Sequence, residues 1–464
     1  MPTHLPHPPH SETSPFGVGR PADSGLANSP VRWPQDQGVA PQPTPFTLGI
    51  VGAGLMGTTI AAEAVRHQFR VVITDVRSEA VQTAADRIAA VLAVDQPPAA
   101  ALVQAVRRRV ESTSNPSRLG RCNVLLESVT EQREVKRSVL AELEPFLAPG
   151  AILATNTSTI PIDELASALA DPSRFCGLHF FHPVRYRPLV EIVRGRRTGL
   201  AALTVAEMLV RRMGKVPVVV ADGPGFLVNR LLFPYLSEAL ELLRDGVRPQ
   251  RLEEVALRFG MAMGPLRLLD EIGLDTALLA GRVLYQAFPE RIVPSPLLIA
   301  MYKSKRWGRK TGAGFFQYPA PAAEIPPAVA PGVEELIAAW ARLSPPLSDE
   351  QVLHRLLLPM VLEATRLLAE GKVASAEDLD RAAVLGLGFP ATLGGPLAWA
   401  NRLGARQVLR LLEPWEALGP RMQPTEWLLE AAECLRPVQP GVSGTSQRAC
   451  SYPAGARRSN PAAV

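Results

Sequence analysis

Cysteine is scarce in this 464-residue chain: Cys122, Cys176, Cys434 and Cys450 lie far apart. No two stand at metal-ligand spacing, and they suggest no disulfide framework, so a reducing compartment fits. Long hydrophobic runs are also missing. No segment is apolar over the roughly 20 residues a membrane helix needs, and the first residues carry no signal-peptide core. A cytoplasmic protein without a membrane span is expected. Excess charge is lacking once the last residues are set aside. The formal net charge is +5, but Arg436, Arg448, Arg457 and Arg458 follow Glu433 with no acidic residue among them. The remainder is nearly neutral, which gives no reason to expect a nucleic-acid groove.

What is present is an uneven distribution of texture. Residues 1–45 hold 11 prolines with much Ser, Gly and Gln. They cannot build a core and are expected to be disordered, as are residues 436–464. His4, His7 and His10 lie in the first of these segments; without other ligand types they give only weak support to a metal site. From Thr47 onward, short apolar strands alternate with helical patterns: "TLGIV" (47–51), "RVVIT" (70–74), "NVLLE" (123–127), "AILAT" (151–155), "CGLHF" (176–180) and "VPVVV" (216–220). Helical patterns fall near 79–93, 99–110, 134–146, 161–169 and 201–213. The alternation predicts a parallel sheet with helices on both faces over 46–223. "LVEIV" (189–193) follows "CGLHF" too closely for a helical crossover, so a local antiparallel addition is expected.

Beyond Gly225 the strands stop. Helical patterns cover 224–320, "YPAPAAEIPPAVAPG" reads as a linker, and a second helical region covers 330–435. "NRLLFPYLSEALELLRDG" (229–246) resembles "HRLLLPMVLEATRLLAEG" (354–371) at a constant offset of 125 residues. Two copies of one helical unit should pack together, the apolar face with Leu356, Leu357, Met360, Leu362 and Leu367 covering the first copy. The second copy has no Gly-rich turn of its own. Its His354, at the position of Asn229, should be chemically silent.

Gly52, Gly54 and Gly57 form G-x-G-x-x-G after a strand and before a helix, with Leu55 and Met56 in the same turn. The first glycine permits the tight turn, the second lets the backbone approach a pyrophosphate, and the third allows close helix–strand packing. Asp75 closes the second strand, where a carboxylate can accept hydrogen bonds from the ribose of NAD and repel the 2′-phosphate of NADP. NAD is therefore the expected cofactor. Arg77 stands close enough to receive a phosphate, which leaves NADP open.

"GLHFFHPVR" (177–185) places two of the seven histidines, His179 and His182, three positions apart. Ser158 follows the strand "AILAT", and Glu131 follows "NVLLE". In a parallel sheet these residues and the Gly-rich turn gather at the carboxyl edge of the strands, where open α/β sheets bind ligands. Alcohol oxidation by NAD needs a base for the hydroxyl proton, and a neutral His suits pH near 7. Simpler roles also exist. Glu191 can be a solvent-facing strand residue, Asn229 a helix cap and Ser158 a turn residue.

"GAGLMG", "ATNTSTIPI", "GLHFFHPV", "LVEIV", "DGPGFLVNRLLFPY", "MGPLRLLDEIGLD" and "KTGAGFFQY" resemble the L-3-hydroxyacyl-CoA dehydrogenase family. The resemblance runs from about Thr47 to Tyr318 and continues through the second repeat. That part looks like the dehydrogenase half of the multifunctional fatty-acid oxidation α-subunit, whose hydratase domain is expected to be missing. The resemblance implies a Rossmann-type NAD-binding domain followed by two tandem all-α dehydrogenase C-terminal-type domains. It implies oxidation of (S)-3-hydroxyacyl-CoA to 3-oxoacyl-CoA with NAD in fatty-acid β-oxidation. The catalytic base then falls on His179 and its partner on Glu191. Substrate-oxygen contacts fall on Ser158 and Asn229, and the cofactor-side acid and lysine on Glu131 and Lys136. The family usually has Asn where His182 stands, so His182 is expected to keep a hydrogen-bonding role rather than form a metal pair. The substrate is expected to be an acyl-CoA, with an enoyl-CoA hydratase or thiolase partner and a homodimeric state left open. A short-chain 3-hydroxybutyryl-CoA or hydroxy-acid dehydrogenase is the alternative enzyme, and a non-catalytic NAD-binding scaffold subunit the alternative of another class.

Overall fold

A computed structural model describes residues 46–93, 98–318 and 328–433. The segments expected to be disordered, 1–45 and 436–464, lie outside the described residues, as does most of the linker.

The first part is one eight-stranded sheet in the order β3-β2-β1-β4-β5-β6-β7-β8. Its elements follow the chain as β1 (Thr47–Val51), α1 (Leu55–Arg66), β2 (Arg70–Thr74), α2 (Ser78–Ala93), α3 (Ala100–Arg107), β3 (Val110–Ser112), β4 (Val124–Glu127) and α4 (Arg133–Leu143). Then come β5 (Ile152–Thr155), α5 (Ile162–Ala166), β6 (Phe175–Phe180), β7 (Leu189–Arg194), α6 (Leu200–Arg212) and β8 (Val216–Ala221). Strands β4, β5, β6 and β7 are buried almost throughout, which is why they read as continuous apolar runs. The helical reading of 99–110 runs too far. The helix ends at Arg107, and Val110–Ser112 forms the edge strand β3. Three residues with one buried side chain leave no periodic signal.

Pairing is parallel except at β6 and β7, which run antiparallel, as the short "FHPVRYRP" connection requires. This exception puts His179 directly opposite Glu191. Opposed residues of an antiparallel pair point to the same face. Strand order reverses between β1 and β4, and the crevice at the carboxyl ends of the strands lies there.

The rest of the described chain is helical: α7 (Val228–Arg244), α8 (Pro249–Phe259), α9 (Pro265–Ile272), α10 (Leu274–Ala287) and α11 (Pro296–Lys303), then α12 (Val333–Ala338), α13 (Asp349–Ala369), α14 (Ala376–Ala382), α15 (Pro396–Leu403), α16 (Ala405–Leu412) and α17 (Glu426–Glu433). The repeated segments form α7 and α13, which pack against each other. Leu356, Leu357, Met360, Leu362 and Leu367 are buried in the core the two helices share.

Their polar contacts are reciprocal. Arg230 near the start of α7 pairs with Glu363 (Nε–Oε1 2.7 Å) and Glu370 (Nη2–Oε1 3.0 Å) at the end of α13. Arg355 near the start of α13 pairs with Glu238 (Nη2–Oε2 2.7 Å) and Asp245 (Nη1–Oδ2 2.6 Å) at the end of α7. Arg230 and Arg355, Glu238 and Glu363, and Asp245 and Glu370 each stand 125 residues apart. The repeat therefore folds as an internal two-fold, each copy giving the other what it receives. A second arginine supports each central glutamate: Arg291 for Glu363 (3.1 Å) and Arg421 for Glu238 (2.6 Å).

Removing one partner of a buried ion pair strands the other charge. Arg230→Ala should cost at or somewhat below the roughly 3–5 kcal/mol of a broken buried pair, because Arg291 still faces Glu363. Arg355→Ala should behave alike. Arg107→Ala, which breaks an exposed pair with Asp86, should cost no more than about 1 kcal/mol. Urea denaturation of the three variants checks this ranking, and equal midpoints would refute it.

Candidate functional site

Between β1 and α1 the chain turns through Gly52, whose φ is +107°. A Cβ there would lie 2.5 Å from the Ser128 carbonyl oxygen, and one on Gly57 would lie 1.9 Å from the Gly52 carbonyl oxygen. These two glycines are required by the protein's own packing. Gly54 differs, because a Cβ there meets nothing within 4 Å. Its open side faces the cleft at the start of α1. That helix begins with no side-chain cap and no acidic residue in its first turn. Such an end presents unpaired N–H groups and attracts an anion.

Asp75 sits just past β2. Its Oδ2 accepts from the Ala53 N–H (2.8 Å), and its Oδ1 from the Arg77 N–H (3.0 Å) and Nε (3.2 Å). Burial opposes ionisation, but Arg77 and these backbone bonds outweigh it and hold the carboxyl below its ordinary range. A fixed carboxylate at this strand end, the open side of Gly54 and the uncapped helix start fit the ribose and pyrophosphate of a dinucleotide.

Past β4 the expected Glu131–Lys136 pair is present at 3.5 Å, but it is not the closest contact. Lys136 is fully buried and bonds Glu127 at 2.9 and 3.2 Å, as well as the Asn156 carbonyl (2.9 Å). Glu127 also accepts from the Val129 N–H (2.7 Å) and Thr155 Oγ1 (2.5 Å). Sequence reasoning passed over Glu127, although a charge closing the apolar strand "NVLLE" was a usable signal. Glu131 accepts from Thr157 Oγ1 (2.6 Å) and the Ser158 N–H (2.9 Å). Partial burial raises its carboxyl, while Lys136 and these donors lower it further, so the net shift is downward. Glu131 thereby holds the turn that carries Ser158.

His179 Nδ1 lies 2.6 Å from Glu191 Oε2, and both groups are buried. The other carboxylate oxygen of Glu191 accepts from the N–H groups of Leu227 (3.0 Å) and Val228 (2.9 Å) at the start of α7. A carboxylate on Nδ1 favours the tautomer that leaves Nε2 unprotonated. Asn229 Nδ2 donates to the Ser158 carbonyl (3.1 Å), tying α7 to the Ser158 turn. His182 follows β6, and its ring titrates below the ordinary histidine value through desolvation and then the charge of Arg187.

Of the residues singled out in the sequence, Gly52, Gly54, Leu55, Met56, Asp75, Glu131, Ser158, His179 and Asn229 line a single cleft of about 2760 Å³. Gly57, Lys136 and Glu191 sit behind them as supports. His354 does not line it. Val384 to Gly388, from the second helical copy, do. No sequence signal marked that reach across the repeats. Among the described residues no three His, Cys, Asp or Glu side chains are grouped to hold a metal ion. Burial pushes the Cys122 and Cys176 thiols up to about 12, so neither is a nucleophile at neutral pH. No helix among the described residues is long and apolar enough to cross a membrane.

A doubly wound sheet with this turn, acid and His–Glu pair defines the class of dinucleotide-dependent dehydrogenases. Two family models make the assignment specific. That for the 3-hydroxyacyl-CoA dehydrogenase NAD binding domain matches residues 47–223. That for the 3-hydroxyacyl-CoA dehydrogenase C-terminal domain matches twice, at 225–318 and 352–440. The chain belongs to the 3-hydroxyacyl-CoA dehydrogenase family and is an NAD-dependent enzyme. Among solved structures it is similar to 3-hydroxybutyryl-CoA dehydrogenase from Escherichia coli (26% identity, 84% of this chain and 99% of that one, TM-score 0.73). It is also similar to the dehydrogenase part of multifunctional enzyme 1 from C. elegans (26%, 83% and 89%, TM-score 0.62). A third relative is (S)-3-hydroxybutyryl-CoA dehydrogenase from Ralstonia eutropha (34%, 60% and 100%, TM-score 0.56).

The glycines give a contrast that stability alone cannot mimic. Gly57→Ala should unfold or strongly destabilise the first domain, because its Cβ meets backbone. Gly54→Val should fold normally and bind NADH at least about tenfold more weakly, because its side chain occupies the space the pyrophosphate needs. Thermal melts and NADH fluorescence titration test both. Unchanged NADH affinity in Gly54→Val would refute the placement.

Proposed function

We propose that the protein oxidises (S)-3-hydroxyacyl-CoA to 3-oxoacyl-CoA in fatty-acid β-oxidation, with His179 as the general base. The observation that carries this is the bond from His179 Nδ1 to a Glu191 carboxylate that is itself fixed by two backbone N–H groups. Bound NAD supplies the hydride acceptor. His179 Nε2, unprotonated in this tautomer, takes the hydroxyl proton, and Glu191 stabilises the imidazolium that forms. Ser158 and Asn229, joined at 3.1 Å, hold the substrate oxygen while its charge changes. Glu131 and Lys136 keep the Ser158 turn in place beside the cofactor, and Asp75 selects NAD over NADP. An enoyl-CoA hydratase would supply the substrate and a thiolase consume the product, in the cytoplasm. A second reading, preference for 3-hydroxybutyryl-CoA, is favoured by two of the solved relatives, which are 3-hydroxybutyryl-CoA dehydrogenases.

His179→Ala should lower kcat by about 10²–10⁴ with NADH affinity unchanged. NADH formation from hydroxyacyl-CoAs of graded length measures this, and near-normal turnover would eliminate His179 as the base. Asp75→Ser should narrow the preference for NAD, since it removes the charge that repels a 2′-phosphate. An unmodified enzyme already faster with NADP would show that Arg77 governs the site instead.

A further inference from the structure

The helical copy that brings no reacting group nevertheless reaches the cleft. After α14 the chain makes one π-helical turn, Ala383–Leu387, and Val384, Leu385, Gly386, Leu387 and Gly388 line the same cleft as His179. Such turns are rare and concentrate at functional sites. This one is held at its C-terminal end by the first copy. The Gly388 carbonyl accepts from the Ala262 N–H of the first copy (3.0 Å). Phe389 stacks edge-on against Phe259, with ring centroids 5.7 Å apart. The turn sits against the catalytic region. A methyl group on Gly386 would come within 2.9 Å of Leu189 Cδ2 and 3.0 Å of Val228 Cγ2. Val228 precedes Asn229 and donates its N–H to Glu191.

The direction of the cleft follows from α7. Asn229 stands in its first turn, and the residues three and four positions on, Leu232 and Phe233, share its face and also line the cleft. Leaving His179 along this face, a bound molecule passes between apolar side chains of α7 and the apolar turn of the second copy. An alkyl chain suits such a channel, and each methylene it buries adds roughly fourfold in affinity. A phosphate or adenine does not suit it.

We infer that the turn Ala383–Leu387 forms the wall against which the acyl tail of the substrate lies, with Leu385 as a chain-length determinant. This rests on the hydroxyacyl-CoA reading above. Leu385 is only partly buried, so replacing it should leave the fold intact, which a thermal melt verifies. The test is calorimetric titration of the full chain with butyryl-CoA and dodecanoyl-CoA, which carry no hydroxyl group to be oxidised. Unmodified protein, Leu385→Asp and Leu385→Trp are compared, alongside kinetics with the matching 3-hydroxyacyl-CoAs. Both variants should weaken the dodecanoyl compound at least about tenfold more than the butyryl one. Equal weakening at both lengths, or none, would overturn the assignment. Failure of the unmodified enzyme to oxidise either substrate would instead count against the hydroxyacyl-CoA reading, and the titrations would still judge the wall.

Discussion

One carboxylate joins the two halves of this protein. Glu191 is completely buried, and a bare charge in that position would be prohibitively costly. It persists because three donors from two different parts of the chain converge on it: the His179 ring on the neighbouring strand and two N–H groups at the start of α7. The same bonds fix which ring nitrogen of His179 faces the cleft and where α7 begins, and hence where Asn229 stands. The sheet and the helical part therefore cannot shift relative to each other without leaving a buried charge unpaired.

A second layer of supports stands under the cofactor side. Glu127 and Lys136 neutralise each other below the surface, and the Asn156 carbonyl accepts another hydrogen bond from the lysine. Glu131 then reaches the Ser158 turn, and Asn229 reaches the same turn from α7. Glu127 and Lys136 thus brace the cleft side of the sheet without lining the cleft themselves. Precise placement of reacting groups depends on such second-layer bonds.

Much of this was legible in the residues. The alternation of strands and helices, the Gly-rich turn, Asp75 and the antiparallel "LVEIV" strand follow from spacing and periodicity. So does the repeat, because a constant offset survives divergence. Glu191 could not be placed by pattern alone: in an apolar strand a lone Glu reads equally well as an exposed residue, and its partners on α7 are 36 and 37 positions away. The short edge strand β3 has too few residues to show periodicity. The reach of Val384 to Gly388 into the cleft depends on how two helical copies pack, and no window of sequence contains that information.

The crossed ion pairs between α7 and α13 settle orientation. Each helix carries arginine near its start and acids near its end, so only an antiparallel arrangement lets both arginines find acids; a parallel one would set arginine against arginine. The peptide chain between Tyr318 and Ala328 makes this association unimolecular. Two separate chains joined by the same contacts would come apart on dilution, whereas a tethered pair faces a fixed local concentration of its own partner. The side of the cleft lined by Val384 to Gly388 is therefore supplied from within the same chain, however few copies a cell makes.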